Sequence, residues 1–234
     1  MLPVTGGSPK EMLPLGGKPL IWHALQEAAR AGFESAIVVV SPGKDELVGY
    51  LGSDDLPLEA AMVVQETPAG IGDAVLRAAD RAGAPLGVLT PDDVTRGRQH
   101  WPRLRRVNAI AGAAAICLRR VPPETAHRFG IASTHSEGDF LRIRGLVEKP
   151  APGTAPSNLA IFGRYIVTRP VLEALEALRG SVRGELELTD GLAAVVSRAP
   201  GVMGVLFEGR AYDNGTADAY LSSVAEYATR QRRV

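Results

Sequence analysis

Residues 19–40, PLIWHALQEAARAGFESAIVVV, decide the fold class of this 234-residue chain. In their first half, apolar residues recur at helical spacing between a proline and a glycine, as one face of a helix requires. The second half ends in the β-branched run 36–40, which is typical of a buried strand. A helix that leads directly into such a strand indicates an α/β protein.

The same alternation continues towards residue 93. Helical patterns cover residues 44–51 and 71–81, and strand patterns cover residues 62–65 and 86–89. Short strands separated by helices of this length predict a Rossmann-like, doubly wound sheet that is mixed but mostly parallel.

The second half of the chain has longer strand patterns and proline-rich connections. Strands are predicted at residues 111–119, 140–147, 158–167 and 201–207, and helices at residues 170–178, 187–198 and 217–230. There is no internal repeat and no low-complexity segment, so we expect a single domain over residues 1–234.

Composition argues against several classes of protein. The chain has 26 basic and 26 acidic side chains, a net charge of zero, and 5% aromatic residues. We therefore expect no nucleic-acid partner. No apolar run is long enough to span a membrane, so no membrane partner is expected either. The single cysteine, Cys117, lies in an apolar run and is expected to be a buried strand residue in a cytoplasmic protein.

The candidate functional residues lie in loops that follow predicted strands, where open parallel sheets bind ligands. Asp92 and Asp93 follow one strand and Asp213 lies in a second acidic loop. These carboxylates suit a hard cation, although a helix cap and a plain turn are the alternatives. Lys10 precedes the first helix, where it could meet a phosphate or simply be solvated.

Two more loops combine suitable residue types. Gly70 and Gly72 open a helix, so they permit close approach of an anion or a base, although glycines also simply make turns. Glu148 and Lys149 place a carboxylate suited to sugar hydroxyls beside a cation suited to phosphate. A surface ion pair is the alternative for these two residues.

Taken in order, segments of the chain resemble one family. They are residues 9–14 (PKEMLP), 17–21 (GKPLI), 146–150 (LVEKP), 155–160 (APSNLA), 163–166 (GRYI) and 184–190 (GELELTD). This order resembles the bacterial UTP–glucose-1-phosphate uridylyltransferases, which are sugar-1-phosphate nucleotidyltransferases, from Met1 to about residue 228. The glucose-1-phosphate thymidylyltransferases are close relatives, and residues 183–187 fit them slightly better.

The resemblance implies an enzyme in which a phosphate oxygen of glucose 1-phosphate attacks the α-phosphorus of a nucleoside triphosphate, with UTP favoured, and pyrophosphate leaves. It implies Mg²⁺ as the cofactor, held by Asp92 and Asp213, and Lys10 as a group that neutralises phosphate charge. The residues implied for substrate binding are Gln65 and Gly70 for the pyrimidine, Gly130, Glu148 and Asn158 for the glucose, and Lys149 and Arg183 for phosphate.

The family opens with a strand and a glycine-rich G-x-G-T-R loop that holds the triphosphate. Met1 aligns after that arginine, so the chain as written is expected to lack both. The alternatives are a thymidylyltransferase and a silent, shortened relative that binds without turnover. A metal-dependent glycosyltransferase would explain the acidic pair but not Lys10 or residues 148–150. A homo-oligomer is an assembly that the resemblance allows.

Overall fold

The computed structural model of the chain describes residues 6–96, 100–181 and 184–231. These residues form two compact units. Unit 1 is drawn from segments 1–66, 90–98 and 209–234, and unit 2 from segments 67–89 and 99–208. The single domain over residues 1–234 stays a prediction.

Unit 1 combines three strand pairs with helices. Its α-helices are α1 (Leu20–Arg30), α2 (Asp45–Leu51) and α7 (Ala217–Gln231). Its strand pairs are β1 (Pro14–Leu15) with β2 (Lys18–Pro19), β3 (Ser35–Val40) with β4 (Glu59–Val64), and β6 (Asp93–Arg96) with β12 (Arg210–Asp213). The β3–β4 pair is parallel and the other two are antiparallel.

Helix α1 contributes to two apolar clusters of unit 1. Leu20 packs with Leu13 and Leu15, and Ile21 and Leu25 pack with the end of β3. The loop ahead of the helix is fixed by backbone bonds, because the Leu20 amide donates to the Leu13 carbonyl at 3.0 Å. The core of unit 1 thereby holds in place the 3₁₀ turn Lys10–Met12, which carries the candidate Lys10.

Unit 2 is built on one six-stranded sheet. Its α-helices are α3 (Ile71–Ala82), α4 (His100–Ala111), α5 (Arg169–Leu178) and α6 (Leu188–Val195). Its strands are β5 (Leu86–Leu89), β7 (Ala114–Arg120), β8 (Ile131–Glu137), β9 (Phe140–Val147), β10 (Leu159–Val167) and β11 (Val202–Leu206). The spatial order is β5-β10-β7-β11-β9-β8, and β8 also pairs with β10. Among the described helices of both units, none has the length and apolar character that crossing a membrane requires.

The strand at the centre of this sheet, β7, is buried from solvent over most of its length. Residues 114–118 of β7 are fully buried, and Cys117 lies among them as predicted. Strand β7 pairs in parallel with β11 and antiparallel with β10. Apolar side chains of α3, α5 and α6 cover the sheet, and with it they form one hydrophobic core.

The predicted α/β class and mixed sheet are confirmed, but the expected parallel majority is wrong for the described residues. Only the β3–β4 and β7–β11 pairs are parallel there. The reason lies in the connections of the second half. The tight turn between β8 and β9 makes a hairpin, and hairpins can only join antiparallel strands. The long strand β10 then runs antiparallel to every neighbour it has.

A glycine marks the contact between α5 and α6. A Cβ added at Gly191 in α6 would lie 2.5 Å from Leu175 Cγ and 3.3 Å from the Val171 carbonyl oxygen. Gly49 in α2 is also helical, but a Cβ there would meet nothing within 4 Å. The two glycines therefore form a matched pair for testing this packing.

We expect Gly191→Ala to lower the free energy of unfolding by about 1–3 kcal/mol, because the added methyl group overpacks the helix contact. Gly49→Ala should raise it by about 0.5–1 kcal/mol through helix propensity alone. Urea unfolding followed by circular dichroism measures both changes. Stabilisation of both variants to the same extent would contradict the close packing of α5 and α6.

Candidate active site

Strand pairing in unit 1 joins the two predicted acidic loops. Asp213 is the register partner of Asp93 across the β6–β12 pair. One residue further, the Asn214 amide donates to the Asp92 carbonyl at 2.8 Å, and the Asn214 side chain donates to the same oxygen at 3.1 Å. Asp92 and Asp213, distant in sequence, therefore lie at the same end of this strand pair.

Lys10 and Asp92 are already in contact. The Lys10 Nζ lies 2.8 Å from Asp92 Oδ1 and 2.9 Å from Oδ2, so it engages both carboxylate oxygens. The side chains are 41% and 36% exposed. An ion pair as exposed as this contributes at most about 1 kcal/mol, so a phosphate or a cation can displace either partner at little cost.

Asp213, a candidate metal ligand, also stabilises the turn in which it lies. Its Oδ1 accepts a hydrogen bond from the Gly215 amide at 2.8 Å, which is the plain turn that the sequence left open. Its carbonyl accepts from the Ser223 hydroxyl of α7 at 2.7 Å. The turn fixes the carboxylate at the strand end while engaging one of its two oxygens.

The donor set of Asp92 and Asp213 fits a hard divalent cation of the Mg²⁺ type. Within the described ranges, no group of three or more histidine, cysteine or acidic side chains could hold a metal on protein ligands alone. Mg²⁺ in phosphate-transfer sites commonly takes one or two carboxylates and completes its octahedron with water and substrate phosphates. Two carboxylates on one strand end meet that requirement.

In unit 2, two of the predicted glucose-binding residues, Gly130 and Glu148, lie together where β8, β9 and β10 come together. The Ile161 amide of β10 donates to the Gly130 carbonyl at 2.7 Å. A Cβ at Gly130 would lie 2.9 Å from Glu148 Oε2, so a side chain there would force the end of Glu148 to shift. Asn158 lies just before β10, where its carbonyl accepts from the Val121 amide at 3.0 Å.

Lys149 follows Glu148 in an unusual backbone conformation. Its φ of 41° is in the left-handed region, and it is the only such non-glycine residue in the described part of the chain. That conformation costs about 1–2 kcal/mol, and strain of this kind concentrates at functional sites. The Lys149 Nζ lies 3.6 Å from Glu148 Oε1 and its side chain is 61% exposed, so this long surface ion pair stabilises the fold little.

Thr189 is a site residue that sequence reasoning missed. Its hydroxyl donates to Glu148 Oε2 at 2.9 Å from the first turn of α6, and it is buried. Glu187 caps the same helix in a reciprocal capping box with Asp190. The sequence did carry one signal for this residue. The E-x-x-D spacing at residues 187–190 is typical of a helix start, and it predicts that Thr189 lies in the first turn of that helix. The remaining predicted phosphate contact, Arg183, lies outside the described residues.

Burial and charge perturb one carboxyl of this cluster. Burial raises the pKa of Glu187 above its ordinary value, and the negative charge of Glu148 raises it further, while Lys149 opposes the shift. Two carboxylates therefore share this part of unit 2, and only one of them is held by a threonine hydroxyl. Burial and neighbouring negative charge thus both disfavour the ionised form of Glu187.

The glycines of the 70–72 loop serve a close approach by the chain itself. Gly70 has φ 94°, and a Cβ there would overlap the Leu186 carbonyl. The Gly72 amide donates to that carbonyl at 2.8 Å, and the Leu186 amide donates to the Ala69 carbonyl at 2.8 Å. Residue 186 makes this close approach, and the approach of an anion or a base to the loop stays a prediction. In unit 1, Gln65 is buried directly after β4, where its backbone amide donates a hydrogen bond to the Val40 carbonyl.

Comparisons with known proteins bear on the family and the fold. A family model described as nucleotidyl transferase matches residues 1–230. The UTP–glucose-1-phosphate uridylyltransferases of Staphylococcus haemolyticus and Bacillus subtilis are each 33% identical to this chain. The alignments cover 100% of the chain and 89% and 88% of those proteins.

Solved structures give the same result for the fold. A UDP-glucose pyrophosphorylase complexed with UDP-glucose superposes with a TM-score of 0.88 at 27% identity, covering 98% of this chain and 94% of that one. A UTP-bound UGPase from Acinetobacter baumannii superposes with a TM-score of 0.84 at 28% identity, over 98% and 89%. With a family model and relatives that span almost its whole length, the chain belongs to the nucleotidyl transferase family.

Proposed function

We propose that this protein is a UTP–glucose-1-phosphate uridylyltransferase, which joins UTP and glucose 1-phosphate into UDP-glucose and releases pyrophosphate. The observation that carries the proposal is the Lys10–Asp92 contact. It places a cation of the kind that binds phosphate beside a carboxylate of the kind that binds a metal ion. Relatives with that name align over the full chain. The cytoplasmic location and the homo-oligomer stay predictions.

The proposed role of unit 1 is to manage the charge of the triphosphate. Asp92 and Asp213 are the residues that hold Mg²⁺, which, when bound, neutralises phosphate oxygens. Lys10 releases Asp92 and takes a phosphate oxygen instead, an exchange that the exposed ion pair permits. The protein contributes little covalent chemistry to such a displacement. It therefore accelerates the reaction by positioning the substrates and neutralising their phosphate charge.

The proposed role of unit 2 is to hold the sugar phosphate. Glu148 accepts from glucose hydroxyls, with one carboxylate oxygen already oriented by Thr189. Gly130 leaves the Glu148 carboxylate in place, because a Cβ at residue 130 would lie 2.9 Å from Glu148 Oε2. The remaining assignments are Asn158 for the glucose, Lys149 and Arg183 for phosphate, and Gln65 and Gly70 for the uracil.

An assay of pyrophosphate release tests the proposal directly. With UTP, glucose 1-phosphate and Mg²⁺, we expect turnover that stops when EDTA removes the cation, and slower turnover when dTTP replaces UTP. Preference for dTTP would identify a thymidylyltransferase instead. Binding of UDP-glucose in calorimetry without any release of pyrophosphate would identify a silent relative.

Replacement of either proposed metal ligand should abolish most of the activity. We expect Asp92→Asn and Asp213→Asn to lower kcat at least about a hundredfold, since each removes a charge that balances the cation. Asp54→Asn, an exposed carboxylate of unit 1, is the control and should leave kcat unchanged. Near-normal turnover of either variant at limiting Mg²⁺, with an unchanged melting temperature, would remove that residue from the site.

Loss of Lys149 should separate the two substrates. We expect Lys149→Ala to raise the KM for glucose 1-phosphate about tenfold or more, because a charge-assisted bond to its phosphate is lost. The KM for UTP should change far less. Arg144→Ala removes a surface cation from β9, the strand that ends two residues before Lys149, and serves as the control. An equal rise in both KM values would show that Lys149 does not bind the sugar phosphate.

A further inference from the structure

A buried carboxylate outside the proposed substrate contacts links two helices of unit 2. Asp73 lies in the first turn of α3 and is 4% exposed. Its Oδ2 accepts from Arg77 Nε at 2.7 Å, within the same helix. Its Oδ1 accepts from Arg179 Nη2 at 2.8 Å, and Arg179 caps the end of α5. The Asp73 carboxylate therefore makes one ion pair within α3, to Arg77, and one that crosses to α5, to Arg179. We call the second ion pair the crossing arm and the first the arm within α3.

The start of α3 also holds the segment that leads into α6. Gly72 and Ala69 exchange two backbone hydrogen bonds with Leu186, two residues before α6 begins. A Cβ at Gly72 would lie 2.8 Å from the Leu186 carbonyl oxygen and 2.9 Å from Leu175 Cδ2 of α5. The beginnings of α3 and α6 and the body of α5 are thus packed without spare space.

Helices α6 and α5 also contact each other directly, at Gly191. Helix α6 in turn presents Thr189, whose hydroxyl binds Glu148 Oε2 at 2.9 Å. A shift of α5 relative to α3 would therefore move α6 and lengthen the Thr189–Glu148 bond. The ion pair that resists that shift is Asp73–Arg179.

We propose that Asp73 is a positioning residue for the sugar-binding carboxylate: through Arg179 it fastens α5 to α3, and so holds α6 where Thr189 orients Glu148. This inference rests on the proposed function of Glu148. Asp73 is buried while Arg179 is 42% exposed, and burying a charge in such a pair adds little net stability compared with an apolar contact of the same size. Stability alone therefore gives no reason for a carboxylate here. An ion pair does fix the relative position of two helices, because its geometry is directional.

Two variants of the crossing arm and one control test the inference. Asp73→Asn keeps the shape of the side chain and removes its charge, and Arg179→Gln removes the crossing arm while Asp73 keeps Arg77. We expect each to raise the KM for glucose 1-phosphate about tenfold, the effect of one lost hydrogen bond to a charged group. The KM for UTP and kcat should stay within about threefold of the parent protein. Arg77→Gln cuts the arm within α3 and should leave both KM values unchanged.

A double variant tests whether the effect passes through Thr189. Thr189→Val alone should raise the KM for glucose 1-phosphate, and Asp73→Asn added to it should raise it little further, since both act on the same bond. Fully multiplied effects would overturn the inference. So would an equal rise in both KM values accompanied by a lower melting temperature, which is the signature of a general loss of structure.

Hydrogen exchange separates this inference from the proposed function. The amides of residues 186–191 should exchange faster in Asp73→Asn and Arg179→Gln than in Arg77→Gln or the parent protein, whether or not the protein turns over glucose 1-phosphate. If the parent protein releases no pyrophosphate, the proposed function fails while the exchange still decides the helix link. Unchanged exchange in both crossing-arm variants would overturn the link itself.

Discussion

The hydrogen bonding of β10 is the constraint on which the proposed glucose-binding residues depend for their positions. A buried strand must pair its amides and carbonyls, and β10 does so with β5, β7 and β8. Its register against β7 shifts between Ile161 and Tyr165, so the strand changes course between its two halves. The first half meets Gly130, and β8 and β9 bring Glu148 to the same place. The position of Gly130 beside Glu148 thus follows from the backbone pairing of one strand.

Carboxylates serve two different purposes in this protein, and solvent decides which. Asp92 is about a third exposed, so its pairing with Lys10 is screened by water and can be exchanged for substrate charge. Asp73 is almost fully buried, where an unpaired charge is costly and both oxygens stay engaged by arginines. An exchangeable ion pair suits a carboxylate proposed to bind a metal ion, whereas a lasting one suits a residue proposed to set the position of helices.

Several elements could not be found from local pattern, for identifiable reasons. Strand β8 reads IASTHSE, which is polar beyond its first two residues, and it is a strand because β9 pairs along its length. Helix α4 contains a proline and several arginines in its first two turns, so its apolar stripe is sparse. The close approach of Leu186 to Gly70 and Gly72 could not be found either, because it joins residues that are far apart in sequence.

The sequence by itself determined the positions of α1, α3 and β10, because helical period and β-branching report which faces are buried. Motif order also determined the family, since order is a property of the linear chain. Only the tertiary structure decided the antiparallel direction of most strand pairs, the contact of Lys10 with Asp92 and the bond from Thr189 to Glu148. Each of these joins residues that are far apart in sequence, and the choice among such partners depends on how the whole core packs rather than on any local pattern.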